Sequence, residues 1–154
     1  MNPTAQGGYQ HTQNAPLHWL LWGTASLLVA ILSWAAPEVV LVQWLLLAMV
    51  VVITVFALSF MHLTVRDEGD RMTLRYGPLP LFSKAIRYDQ IRSAKASRST
   101  LIDGWGIHWL PGRGWTFNLW GFACAELELD RGTLRIGSDD VPRLVEFLQQ
   151  RVPG

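Results

Sequence analysis

The chain has 154 residues, a formal net charge of +1 and a single cysteine, Cys124. That length leaves room for one modest folded domain plus extras, and one cysteine excludes an intrachain disulfide and any multi-cysteine zinc site. The near-neutral total conceals a division: all 13 Lys and Arg lie at or beyond Arg66, while residues 1–61 carry one charged side chain, Glu38. Two solvents are implied, because a stretch so poor in charge dissolves badly in water and the remainder has the charge density of an ordinary soluble domain.

Residues 1–16 are rich in Gln, Asn, Thr and Gly, lack charge and show no periodicity, so they read as a flexible tail. Residues 17–35 then run without a charge, and at about 1.5 Å per residue the run reaches roughly 28 Å, close to the hydrocarbon thickness of a bilayer. Ala36-Pro37-Glu38 breaks the run, and residues 39–61 form a second uncharged stretch long enough to span with some tilt. Together residues 17–61 predict a transmembrane helical hairpin, since so short a connection forces the two spans antiparallel. Polar positions inside the spans, among them Thr24, Ser26, Thr54 and Ser59, read as backbone-bonded or helix-contact groups. Trp19 and Trp22 near one end, with Trp34 and Trp44 towards the other, fit lipid-interface anchors. Arg66, Arg71 and Arg75 follow the second span, whereas the turn holds only Glu38. The positive-inside bias therefore predicts two spans in a cell inner membrane with both termini cytoplasmic. The rival is a cleaved signal peptide, because Ser33-Trp34-Ala35 puts small residues where a signal peptidase cuts; the lack of any Lys or Arg before the apolar run weighs against it.

Residues 62–154 change pattern and predict a mainly β domain. Leu63 and Val65 alternate with Thr64 and Arg66, Asp67-Glu68-Gly69-Asp70 makes a turn, and Met72, Leu74 and Tyr76 alternate with Arg71, Thr73 and Arg75, which is a hairpin. Gly77-Pro78-Leu79-Pro80 precedes strands around residues 82–88 and 91–97, whose facing the pattern does not assign. Further on, Ala125, Leu127 and Leu129 face inward, Asp130-Arg131-Gly132 turns, and Leu134 and Ile136 point inward again. Val141, Leu144, Val145 and Leu148 recur at helical spacing behind Asp139 or Asp140 as a cap, predicting one C-terminal helix over residues 140–151. Strands followed by one helix point to a curved antiparallel sheet or partial barrel with the helix closing an open end.

This order of elements behind a membrane hairpin resembles the bacterial PH-like domain membrane proteins. The resemblance covers roughly residues 63–151 and rests on the first hairpin, on Lys84-Ala85-Ile86-Arg87-Tyr88-Asp89-Gln90-Ile91 and on the final strand pair with its helix. It implies a PH-like split β-barrel of about seven strands with one C-terminal helix, acting as a membrane-tethered binding or assembly module. Eukaryotic PH domains often bind phosphoinositides through basic residues around the first hairpin turn. Here that turn is Asp67-Glu68-Gly69-Asp70-Arg71, and its acidity argues against the same headgroup site.

The least ordinary stretch is residues 103–121, which holds half of the eight tryptophans among glycines. Glycine permits sharp turns and tryptophan offers large contact area with a polar handle, so Trp105, His108, Trp109, Arg113, Trp115 and Trp120 form a candidate docking loop for lipid or protein. The competing account is that Trp109, Trp115 and Trp120 build the core of a small domain. Ser99, Asp103 and His108 are raw material for hydrolysis, without the strand-to-helix turn that presents a nucleophile, so no catalytic residue is assigned. His108, Asp103 and Cys124 lack paired ligand spacing, so no metal is expected. The basic positions Lys84, Arg87, Arg92, Lys95 and Arg98 can attract anionic lipid or serve as a solvated face. No cofactor, nucleotide or nucleic-acid partner is expected, for want of the motifs they require. The expected partners are membrane lipid and a protein, or a second copy of the chain. The function expected is a non-enzymatic binding or assembly module at the membrane surface; the alternatives are an accessory subunit of a larger membrane complex and, last, a membrane-bound hydrolase using His108.

Overall fold

Uncharged runs flanked by helix breakers fold as helices wherever their backbone groups must bond internally. In the computed structural model, which describes residues 8–35, 38–79, 81–100 and 105–152, helix α1 (Leu17–Ala35) and helix α2 (Val40–Ser59) occupy the two apolar runs and pack on each other. Both are long and apolar enough to cross a membrane. Ala25 of α1 and Leu46, Ala57 and Ser59 of α2 are buried, whereas Leu20, Ile31, Leu41 and Leu45 stand exposed. Helices apolar on every side carry the pattern of a membrane span, not of a helix lying on a soluble core. The Thr24 hydroxyl donates to the Leu20 carbonyl at 2.9 Å and the Ser59 hydroxyl to Val55 at 2.8 Å, so these polar groups are satisfied within their own helices. The second helix stops short of Met61 because Phe60 turns its ring into the β domain, 5.5 Å from Tyr76 and 5.4 Å from Phe82.

Two sheets and one helix enclose a single core. The first sheet is antiparallel in the order β1 (Gln10–Asn14), β2 (His62–Asp67), β3 (Arg71–Tyr76), β4 (Ser83–Arg87). Strand β1 corrects the expectation of a structureless tail through residue 16. Its side chains lack apolar alternation, but an edge strand is held through its main chain: Gln10 to Asn14 pair with Arg66 to His62. Tyr9, just before it, is buried with its ring 5.4 Å from Phe147. The expected β2–β3 hairpin forms, with Leu63, Val65, Met72, Leu74 and Tyr76 all buried. Glycine is required behind it at Gly77, which has φ +59° and approaches so closely that a Cβ would collide with the Leu58 and Ser59 carbonyl oxygens at the foot of α2.

A 3-10 turn, Tyr88–Gln90, leads into the second sheet, in the order β5 (Ile91–Arg98), β8 (Ala123–Leu129), β9 (Gly132–Gly137), β7 (Gly114–Asn118), β6 (Gly106–Leu110). Strand β5 resisted assignment from sequence because its register against β8 shifts between Ile91 and Ser93, so its buried residues, Ile91 and Ala94, are three apart. Two features depart from the expected barrel of about seven antiparallel strands. The nine described strands form two separate sheets with no closed barrel, and β7 pairs with β9 in parallel. The β8–β9 hairpin causes the second departure: β8 lies beyond β9 from β7, and its partner fills the gap running the same way as β7. Helix α3 (Val141–Arg151) presents Val141, Leu144, Val145 and Leu148 to the core and packs on β5 and β8. Asp140 occupies its N-cap position without a side-chain capping bond, and the Asp139 carboxylate meets the His11 Nε2 of β1 instead.

Candidate functional site

The second hairpin, β6 and β7, lies at the free edge of its sheet. Trp109 stands opposite Trp115 and Ile107 opposite Phe117, so these four share one face. Trp115 and Phe117 lie beside Leu134 and Ile136 of β9, which makes that face the inner one. Because α3 covers the β5–β8 end, the inner face at the β7–β6 end stays uncovered. Trp109 is 55% exposed and Trp115 48%. Trp105 and Trp120, at 43% and 36%, stack on one another with ring centroids 4.3 Å apart. The tryptophans are therefore not the core; Phe117, Leu119, Leu134 and Ile136 are.

Several contacts tie this hairpin to the points where the apolar helices leave the domain. Gln13, shortly before α1, donates its amide to the Trp120 carbonyl at 3.0 Å. The Phe60 ring lies beside Gly106 at the start of β6. Leu79 and Leu81, in the loop that follows Gly77, are exposed. The Trp105–Trp120 pair and the Leu79–Leu81 loop thus stand at the helix-proximal end. Between that loop and the hairpin opens a groove of about 320 Å³ lined by Leu81, Phe82, Ser83, Lys84, Ile107, Trp115 and Phe117.

Lys84 is the unexpected member. In the β3–β4 register it stands opposite Leu74, and Ile86 opposite Met72, so it takes a position on the inner face of the strand while its side chain stays exposed at the open rim of the groove. It makes no ion pair among the described residues, whereas its basic neighbours do: Arg87 with Asp89, Arg92 with Asp130 at 2.9 Å and Lys95 with Glu126 at 3.0 Å. Glu126 also meets Arg135 at 2.8 Å. Burial works against its ionisation, but hydrogen bonds from Lys95 and Arg135 prevail and hold its carboxyl below the usual range. The sequence places Lys84 among the surface basic residues, and it is exposed; the register adds that it shares a strand face with the buried Ile86.

The remaining candidates fall elsewhere. His108 stands opposite Thr116, on the face away from the groove, with its Nε2 buried and without a hydrogen-bond partner among the described residues. Arg113, in the turn between β6 and β7, donates to the Thr100 hydroxyl at 3.1 Å, while its carbonyl accepts from Arg135 at 2.9 Å. The Ser99 hydroxyl donates to the Phe122 carbonyl at 3.3 Å, Asp103 lies outside the described residues, and no hydrogen bond joins Ser99 to His108 among them. Cys124 is buried beside Gly137, and among the described residues no three His, Cys, Asp or Glu side chains gather as metal ligands. In the helices, Trp19 meets Trp22 edge to face at 5.6 Å, while Trp34 and Trp44 are exposed.

The chain matches no protein-family model and no curated protein.

Proposed function

We propose that this chain is a membrane-anchored, non-catalytic binding or assembly module whose β domain works against the surface of the bilayer that α1 and α2 span. The observation that carries this reading is the stacked Trp105–Trp120 pair, exposed beside Gln13 and Phe60 where the spans end. Tryptophan settles at headgroup depth, and the hairpin holds the domain at high effective concentration there, so even weak contacts are populated. The positive charge that follows the second span favours the cytoplasmic face of an inner membrane. A PH-like assignment of the domain draws on its two sheets, single core and C-terminal helix; the parallel β7–β9 pair stands apart from it.

The test uses the full chain in lipid nanodiscs with Trp19, Trp22, Trp34 and Trp44 replaced by Phe, so that emission comes from the domain alone. Phospholipid bearing a quencher at headgroup depth is expected to quench it, and adding Trp105→Phe and Trp120→Phe to remove most of that effect. Emission indifferent to the quencher overturns the proposal. A second reading, accessory subunit of a larger membrane complex, draws on an apolar cleft of about 420 Å³ between the two helices, lined by Trp22, Ala25, Val29, Val50 and Thr54 among others. A constitutive partner would then copurify with the full chain in mild detergent and be lost when the spans are exchanged for unrelated ones.

A further inference from the structure

An exposed lysine at an inner-face position, lining a mostly apolar groove at the open end of a core, needs a reason. One is defensive: β4 is the outermost strand of its sheet, and inward-pointing charges on edge strands discourage pairing with other chains. The surroundings point further. The groove begins at Leu81 and Phe82, the latter packed against Phe60 at the foot of α2, and Lys84 stands two strand residues beyond Phe82, about 7 Å farther along β4. Moving away from the helices, the lining is therefore apolar first, with Ile107 and Phe117 on the opposite wall, and cationic after. A phospholipid leaving the bilayer head first has the same order of polarity, hydrocarbon towards the membrane and phosphate beyond it. The volume, about 320 Å³, lies at the lower end of the range of small-ligand clefts, about 300–1,000 Å³.

We infer that this groove binds an anionic phospholipid of the membrane that α1 and α2 span. The glycerol and upper acyl chain lie against Leu81, Phe82, Ile107 and Phe117, the phosphate on the Lys84 ammonium, and Trp115 at the rim. The inference rests on the membrane-surface reading above and adds to it a ligand class and a site. It also gives Lys84 a role that its carboxylate-paired neighbours Arg87, Arg92 and Lys95 do not share.

The experiment is native mass spectrometry of the full chain released from nanodiscs containing equal amounts of phosphatidylcholine and phosphatidylglycerol. Retained phosphatidylglycerol adducts are expected to exceed phosphatidylcholine adducts, and Lys84→Glu to lower their ratio by about fivefold or more, the effect of one basic residue near an anionic leaflet. Lys84→Glu keeps an inner-face charge on the edge strand, so a purely defensive lysine predicts no change in the ratio, and that result overturns the inference. Lys84→Arg is expected to preserve the preference, and Ile107→Trp, which fills the groove, to reduce adducts of both lipids. Excess inorganic phosphate should leave the preference intact; displacement would make this a site for free phosphate and overturn the lipid assignment. The domain-tryptophan quenching described above separates the two failures: quenching without lipid preference removes this inference alone, and loss of both removes the membrane-surface reading with it.

Discussion

Asp67 shows how much of the fold can hang on one carboxylate. It accepts from the Gly69 amide at 2.8 Å, the Tyr88 hydroxyl at 2.8 Å and the Arg151 guanidinium at 3.0 Å, with its side chain only 4% exposed. It thereby closes the first hairpin turn, ties that turn to the 3-10 segment and clamps the end of α3 across the sheet. Asp67→Ala leaves the Tyr88 hydroxyl without its acceptor and the Arg151 guanidinium with only the Gly69 carbonyl, and the expected cost is about 2–4 kcal/mol, read as a lower midpoint in denaturant unfolding of the full chain in detergent micelles. An unfolding free energy within about 0.5 kcal/mol of the parent would contradict this role. The sequence displayed the acidity of the turn and thus its unsuitability for an anionic headgroup. It did not display the clasp, because the partners lie 21 and 84 residues away. The strand face of Lys84 was obscured for a related reason: a charged residue at an inner-face position reads as a break in the pattern until the neighbouring strand shows which face it shares.

Elements differed in legibility according to what holds them. The two apolar helices, the β2–β3 hairpin and α3 advertise themselves, since each is stabilised by side chains at a fixed period. Strand β5 carries a register shift that scrambles the period, and β1 is an edge strand whose His, Thr, Gln and Asn side chains hold no apolar alternation. The tryptophan hairpin was legible as composition. Its exposure was not, because that depends on β9 lying between β7 and β8 and on α3 covering the other end of the sheet. A prediction belongs to β1. Removing residues 1–14 strips β2 of its outer partner and unseats Tyr9 from Phe147, so the β2 amides that bond to β1 should exchange hydrogen faster and the melting temperature should fall by several degrees. Unchanged exchange across His62–Asp67 would contradict the pairing.

On the scale of the whole molecule, β1 precedes α1, β2 follows α2, and the two strands are hydrogen-bonded neighbours in one sheet. The apolar hairpin is therefore inserted between two strands of the β domain and is not merely attached to its beginning. A pair of helices held in this way returns the chain to the sheet it left, and cleavage after Ala35 would tear an edge strand and the buried Tyr9 away from the domain. The same joint fixes the domain's orientation to the helices: Ala15 bonds to the Met61 carbonyl at 3.2 Å and Phe60 packs into the β core, so the exposed Leu81 and Trp105 lie at the end next to α1 and α2 and the Arg131 turn, at the far end of β8 and β9, away from them.

The most direct test is collision accessibility of a single spin label in the full chain in nanodiscs, on a Cys124→Ala background, with oxygen against a water-soluble paramagnet. Labels at Leu28→Cys and Leu47→Cys should report acyl depth, Leu81→Cys headgroup depth and Arg131→Cys bulk water. Leu81 as open to water as Arg131, or Leu28 and Leu47 shielded from oxygen by protein, would contradict the account.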